Sequence, residues 1–212
     1  MNRDSLNVYF IMGTLNSSEP LETLEKALKA RITCFQLREK GEGSLTGEAL
    51  ESFARACQKL CKAYGVPFIV NDDVELALKL DADGIHVGQD DLAITEFRAR
   101  AKNKIIGVSV HNEQEMELAV KSGADYVGIG PIYATKSKTD AQPPAGVDFL
   151  QKARSQYPNF PIVGIGGINE KNAAEVRSSG ADGVSVISVI CESPNIEKTI
   201  QALSGGNGNE TK

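Results

Sequence analysis

One short phrase recurs along this chain. Asp81-Ala-Asp-Gly-Ile-His-Val-Gly88, Gly123-Ala-Asp-Tyr-Val-Gly-Ile-Gly130 and Gly180-Ala-Asp-Gly-Val-Ser-Val-Ile187 each set an Ala-Asp step before a short apolar run. Further apolar runs at residues 7–13, 34–40, 65–71, 104–110 and 160–167 bring the candidate strands to eight. Between and after them, residues 20–30, 45–64, 74–80, 94–101, 113–122, 149–157, 170–178 and 195–203 carry apolar side chains three and four apart, the helical period. Strands separated by helices imply a parallel sheet. Eight such units within 212 residues predict an α/β fold, a single compact (β/α)8 TIM barrel over residues 1–203. An open doubly wound sheet is the structural alternative. It normally has fewer units, and no G-x-G-x-x-G follows the first strand. The tail, residues 204–212, is small and polar and is expected to be disordered.

Charge narrows the partners. A net charge of −5 argues against a nucleic-acid binder, which usually shows a basic excess, so any anion site must be local. No apolar run approaches the ~20 residues of a membrane-spanning helix. The first residues lack the apolar stretch of a signal peptide, so a cytoplasmic location without membrane partners is expected. Cys34, Cys57, Cys61 and Cys191 form no CxxC pair. Cys57 and Cys61 are four apart with no histidine nearby, which reads as two small core residues rather than a metal site. Homo-oligomerisation is left open.

Such a local anion site is suggested by Cys34-Phe-Gln-Leu-Arg-Glu-Lys40. Read as a strand, it puts Gln36, Arg38 and Lys40 on one face and Phe35 and Leu37 on the other. If the apolar face packs on a helix, bare cations look into the protein, and an anionic ligand is the simplest compensation. The bland reading is a solvated edge strand, and this segment alone does not choose between them.

Strand ends decide it. Active sites of such barrels form at the carboxyl ends of the strands. There the sequence places Arg38 and Lys40, then Asn71-Asp72-Asp73, Gly88-Gln-Asp-Asp91, Ser109, the stretch from Gly130 to Lys138, Gly164-Ile-Gly-Gly167, and Ile187-Ser188. Singly, each has a mild explanation: Asp73 or Asp91 could cap a helix, and the glycines could only make turns. Jointly they read as one rim. Acids after neighbouring strands suit Mg²⁺, a hard ion that takes carboxylate, water and phosphate oxygens. Of the two histidines, His86 lies inside a strand and reads as core, and His111 reads as rim lining. The glycines after the seventh strand suggest a second anion site of backbone N–H groups. Together these residues point to two phosphorylated small-molecule substrates, one a pyrophosphate.

At these positions the chain closely resembles the thiamine-phosphate synthase family. The resemblance covers nearly the whole chain through Gln36-x-Arg38-x-Lys40, Asn71-Asp72, Gly88-Gln-Asp-Asp91, Gly107-Val-Ser109, Gly130-Pro-Ile-Tyr-Ala-Thr135 and Gly164-Ile-Gly-Gly-Ile168. It implies a transferase joining a hydroxymethylpyrimidine pyrophosphate to a thiazole phosphate with release of pyrophosphate. Carried over by position, the pyrimidine pyrophosphate would meet Gln36, Leu37, Arg38, Glu39, Lys40, Asn71, Ser109 and Lys138. Asp72 and Asp91 would bind Mg²⁺. The thiazole phosphate would meet Thr135, Lys136, Ser137, Gly167, Ile187 and Ser188. The implied mechanism is dissociative: Arg38, Lys40 and Lys138 stabilise the leaving group, and no residue is assigned as acid, base or nucleophile. No Ser/His/Asp or Cys/His set is evident in the sequence, which agrees. The chain departs from the family at Ser137, where threonine is expected, and at the first strand, which lacks an acid near its end. A thiazole tautomerase-like barrel and a ligand-sensing barrel without turnover are the nearer alternatives. A phosphosugar isomerase or epimerase is a more distant one.

Overall fold

A computed structural model describes residues 1–89, 94–135 and 144–205. Its sheet is a closed barrel of parallel strands: β1 Val8–Met12, β2 Cys34–Leu37, β3 Phe68–Asn71, β4 Gly84–Val87, β5 Ile105–Val110, β6 Tyr126–Ile129, β7 Ile162–Ile165 and β8 Gly183–Val186. Each strand pairs with its sequence neighbour, and β8 closes on β1. The helices on the outside are α1 Pro20–Lys29, α2 Gly47–Tyr64, α3 Val74–Leu80, α4 Ile94–Phe97, α5 Glu113–Lys121, α6 Gly146–Gln156, α7 Ala173–Ser178, α8 Ser188–Cys191 and α9 Ile196–Leu203. The barrel expectation holds. The extra helix α8 was not anticipated, because four residues are too few to show a period. From residue 206 the expected tail lies outside the described residues. No described helix is long and apolar enough to cross a membrane.

Helix ends follow local chemistry. Pro20 opens α1, and Asp73, Asn112 and Asn195 accept the N–H of Leu76, Glu115 and Lys198 as N-caps. Gly65 ends α2 in the left-handed region at φ 67°. Cys57 and Cys61 are buried on the inner face of α2, as core residues.

The recurring Ala-Asp step has a structural reason. Phe68 N–H donates to Asp83 at 2.8 Å, Ile106 N–H to Asp125 at 2.8 Å, and Ile162 N–H to Asp182 at 2.8 Å. The backbone of each aspartate donates back to the carbonyl of the same partner, at 3.1, 2.7 and 2.7 Å. Thr33 does the same before β2: its Oγ1 accepts Val8 N–H at 2.9 Å, and its N–H returns to Val8 O at 2.9 Å. An acceptor side chain just ahead of every even strand thus clamps the start of the preceding odd strand. This happens at the amino-terminal end of the barrel, where the residues serve stability.

Two apolar layers result. Phe10, Phe35, Leu37, Phe68, Ile85 and Val127 face the helices, whereas Tyr9, Ile11, Cys34, Ile69, Tyr126 and Val163 fill the barrel. Gly107 makes room inside, for a Cβ there would overlap the Tyr126 ring.

Candidate active site

The strand predicted over residues 34–40 ends at Leu37. Gln36 points inward and is 1% exposed, while Phe35 and Leu37 face the helices, as the alternation requires. Arg38, Glu39 and Lys40 form the loop that follows. Glu39 explains the early stop. Its carboxylate turns away to accept the N–H of Thr14 at 2.7 Å and of Leu45 at 2.8 Å, and also the Thr14 hydroxyl. The loops after β1 and β2 are thereby tied together. With the Leu37 side chain packed outward and that of Glu39 so engaged, a ligand would meet these two residues through their backbone.

Across the rim, Lys40 Nζ pairs with Asp72 Oδ2. Asp72 follows β3 in the left-handed region at φ 61°, uncommon for a side-chain-bearing residue, and its side chain is 19% exposed. Asn71 ends β3, opposite His86 in the pairing register. Asp73 caps α3, its mild explanation. Asp91, the other metal candidate, and Lys136, Ser137 and Lys138 lie outside the described residues. Among the described residues no group of three His, Cys, Asp or Glu could hold a metal. Mg²⁺ does not need one, since it usually keeps several waters and takes one or two carboxylates plus substrate phosphates. The Asp72 carboxylate, a hard oxygen donor beside a cation on the rim, fits that role.

A pocket opens between these strands, with Gln36, His86, Ser109 and Ser185 among its polar lining and Ile11, Val163 and Ile165 among its apolar walls. Sequence reasoning missed four participants: His86, Tyr126, Tyr9 and Ser185. His86 is 7% exposed, so it is buried as expected, but it faces the barrel interior: Nε2 lies 2.9 Å from Ser109 Oγ and Nδ1 lies 3.0 Å from Tyr126 OH. The Tyr126 hydroxyl lies 2.7 Å from that of Tyr9, which accepts from Gln36 Nε2 at 2.8 Å. Burial pushes both tyrosine hydroxyls well above their usual pKa, so both stay protonated. Ser185, 2% exposed, has a buried hydroxyl without a hydrogen-bond partner among the described residues. For His86 and Ser185, a polar residue within an otherwise apolar strand was the available signal. His111 instead leans on Glu115, with Nδ1 at 2.9 Å from its carboxylate.

The other side of the same rim is built from backbone. Ile132 N–H donates to Ile165 O at 2.8 Å and Tyr133 N–H to Gly166 O at 3.0 Å, carrying the β6–β7 pairing into both loops. Gly167, at φ 66°, packs so closely that a Cβ would sit 2.7 Å from Ala134 O and from Tyr133 Cβ. Thr135 is the next residue of that loop. Ile187 and Ser188 sit at the β8–α8 junction. Tyr133 OH donates to Glu175 at 2.6 Å and bolts this loop to α7; desolvation and that carboxylate push the phenol up to about 12.

The family model for thiamine monophosphate synthase matches residues 8–190. The chain is 59% identical over 209 residues to a thiamine-phosphate synthase of Lysinibacillus sphaericus, covering 98% of each. It is 53% identical over 203 residues to one of Geobacillus kaustophilus, covering 95% of this chain and 92% of that one. A solved structure of thiamine phosphate pyrophosphorylase from Pyrococcus furiosus superposes with a TM-score of 0.86 at 33% identity, covering 96% of each chain. A 3-hexulose-6-phosphate synthase structure, at TM-score 0.68 and 16% identity, shares the fold alone. With its rim of cations, carboxylate and tight glycines on a closed parallel barrel, this chain belongs to the thiamine monophosphate synthase family of transferases.

Proposed function

We propose that the chain joins 4-amino-2-methyl-5-hydroxymethylpyrimidine pyrophosphate to a thiazole phosphate, giving thiamine phosphate and pyrophosphate. The observation that carries this is the strand-end rim, which bears the Lys40–Asp72 pair and the Gly167 backbone cradle on the same barrel as a pocket with Gln36 and Ser109 in its lining. One substrate sits with its ring over the mouth of the pocket and its pyrophosphate toward Arg38 and Lys40. The other rests its phosphate on the loops carrying Thr135, Lys136, Ser137, Gly167, Ile187 and Ser188.

In this reading the bond between the pyrimidine methylene carbon and the pyrophosphate oxygen breaks first. Its electron pair leaves on the pyrophosphate, held by Arg38, Lys40 and Lys138. Mg²⁺ on Asp72 and Asp91 would supply further positive charge to the same oxygens. The aminopyrimidine spreads the charge left on the methylene carbon, and the thiazole nitrogen donates its lone pair to that carbon. Ile11, Val163 and Ile165 keep the pocket wall apolar, which limits water as a competing nucleophile. Gln36, Asn71 and Ser109 orient the ring and its leaving group.

Incubating the protein with both phosphates and Mg²⁺, and following thiamine phosphate by mass spectrometry, tests the proposal. Product formation supports it. Absence of product from protein that binds both ligands overturns it in favour of a sensing barrel.

A further inference from the structure

We propose that Tyr9, Tyr126 and His86 are positioning residues. They form a one-way hydrogen-bond relay inside the barrel that presents the Ser109 hydroxyl to the pocket as a donor and the Gln36 side-chain carbonyl as an acceptor. The relay runs Gln36, Tyr9, Tyr126, His86, Ser109, with contacts of 2.8, 2.7, 3.0 and 2.9 Å, and joins side chains from five strands. Its direction follows from counting protons. Gln36 Nε2 can only donate, so Tyr9 OH accepts there, and its own proton goes to Tyr126 OH at 2.7 Å, a stronger acceptor than the Cys34 Sγ that is also within its reach. Tyr126 in turn donates to His86 Nδ1. His86 therefore carries its proton on Nε2 and donates it to Ser109 Oγ. Each tyrosine hydroxyl then accepts once and donates once, which suits groups this deeply buried.

Both ends of the relay open on the pocket. Ser109 Oγ, already accepting from His86, has its own proton left to give, as an anionic oxygen requires. Gln36, having committed Nε2, offers its carbonyl oxygen, which suits an amine N–H on a heteroaromatic ring. Reversed, the relay would have Ser109 donate to His86 and would show only lone pairs to an anion. The reversed geometry is also that of a histidine activating a serine nucleophile, so the direction separates a binding serine from a reactive one. The assignment of ligand ends rests on the proposed substrates; the direction of the relay does not.

Two experiments test this. Nitrogen-15 NMR of histidine-labelled protein reads the imidazole tautomer directly, and with only two histidines in the chain a His111→Asn variant assigns the spectrum. The expected result is the neutral Nε2–H form of His86. The Nδ1–H form, or any other protonation pattern, would overturn the relay even if the enzyme is fully active. Second, Tyr126→Phe removes the central hydroxyl and keeps the ring. Expected are a mixed His86 tautomer, a thermal transition that stays cooperative at a somewhat lower Tm, and a fall of about tenfold in kcat/KM, as for loss of about 1.4 kcal/mol of oriented binding. A folded Tyr126→Phe protein with wild-type kinetics would overturn the positioning role. A wild-type protein without turnover would instead count against the proposed reaction, leaving the NMR result to judge the relay.

Discussion

Replacing Asp182 by alanine should destabilise the barrel about three times as much as replacing Asp83, although the two hold equivalent places in the repeat. Each carboxylate accepts one strand N–H at 2.8 Å. Asp182 also accepts Arg154 Nη2 at 2.9 Å and Arg3 Nε at 2.6 Å, and its side chain is 7% exposed. Stranding the Ile162 N–H costs about 1–3 kcal/mol. Taking the carboxylate from Arg154 adds about 1–2 kcal/mol, below the usual cost of breaking a buried pair. The guanidinium keeps the carbonyls of Gly180, Tyr157, Pro158 and Phe160 at 2.7–3.2 Å. Arg3 is 46% exposed and adds little. The sum is about 3 kcal/mol for Asp182→Ala. For Asp83→Ala, where the aspartate is exposed and water can reach the freed N–H, about 1 kcal/mol is expected. For a domain of this size, these convert to falls in Tm of roughly 6–12 °C and roughly 2–4 °C. Scanning calorimetry of both variants decides. Equal shifts would refute the arginine share of the argument, and no shift in either would refute the strand clamp itself.

Three further outcomes follow from the geometry. Burial pushes the Cys61 thiol up to about 12, so the stability it contributes is intact below the ordinary thiol value of 9.0 and is lost as pH rises toward about 12. Tyr133 acts in the same direction, and denaturant midpoints should fall over this alkaline window; a flat profile would contradict the burial argument. Gly107→Ala drives a methyl into the Tyr126 ring and should cost about 1–3 kcal/mol with loss of activity, whereas a stable and active variant would show the barrel interior to be looser than described. Ser185→Ala removes a buried hydroxyl that has no partner among the described residues, so the ligand-free Tm should hold or rise while affinity for pyrimidine pyrophosphate weakens; a Tm loss of several degrees would refute this.

The fold was legible because the helical period and the Ala-Asp steps survive in the sequence, and the steps mark a clamp that the barrel needs at each even strand. The cationic loop was legible from Arg38 and Lys40, although the strand stops at Leu37 because Glu39 is drawn to Thr14 and Leu45. The relay was not legible. Parallel strands buried on both faces read as continuous apolar runs, so nothing in Val8–Met12 or Tyr126–Ile129 says that Tyr9 and Tyr126 face inward. Only barrel closure brings these residues, 117 apart in sequence, into hydrogen-bond contact. His86 looked like core for the same reason, and Ser109 looked isolated because its partner lies 23 residues earlier, across the β4–β5 pair.

The most direct test of the central claim is pyrophosphate release by the purified protein from hydroxymethylpyrimidine pyrophosphate and Mg²⁺, measured with and without thiazole phosphate. The account predicts release that depends on thiazole phosphate and matches thiamine phosphate formed mole for mole. No release while both ligands are bound would contradict it, and the cations at Arg38 and Lys40 would then serve another anion.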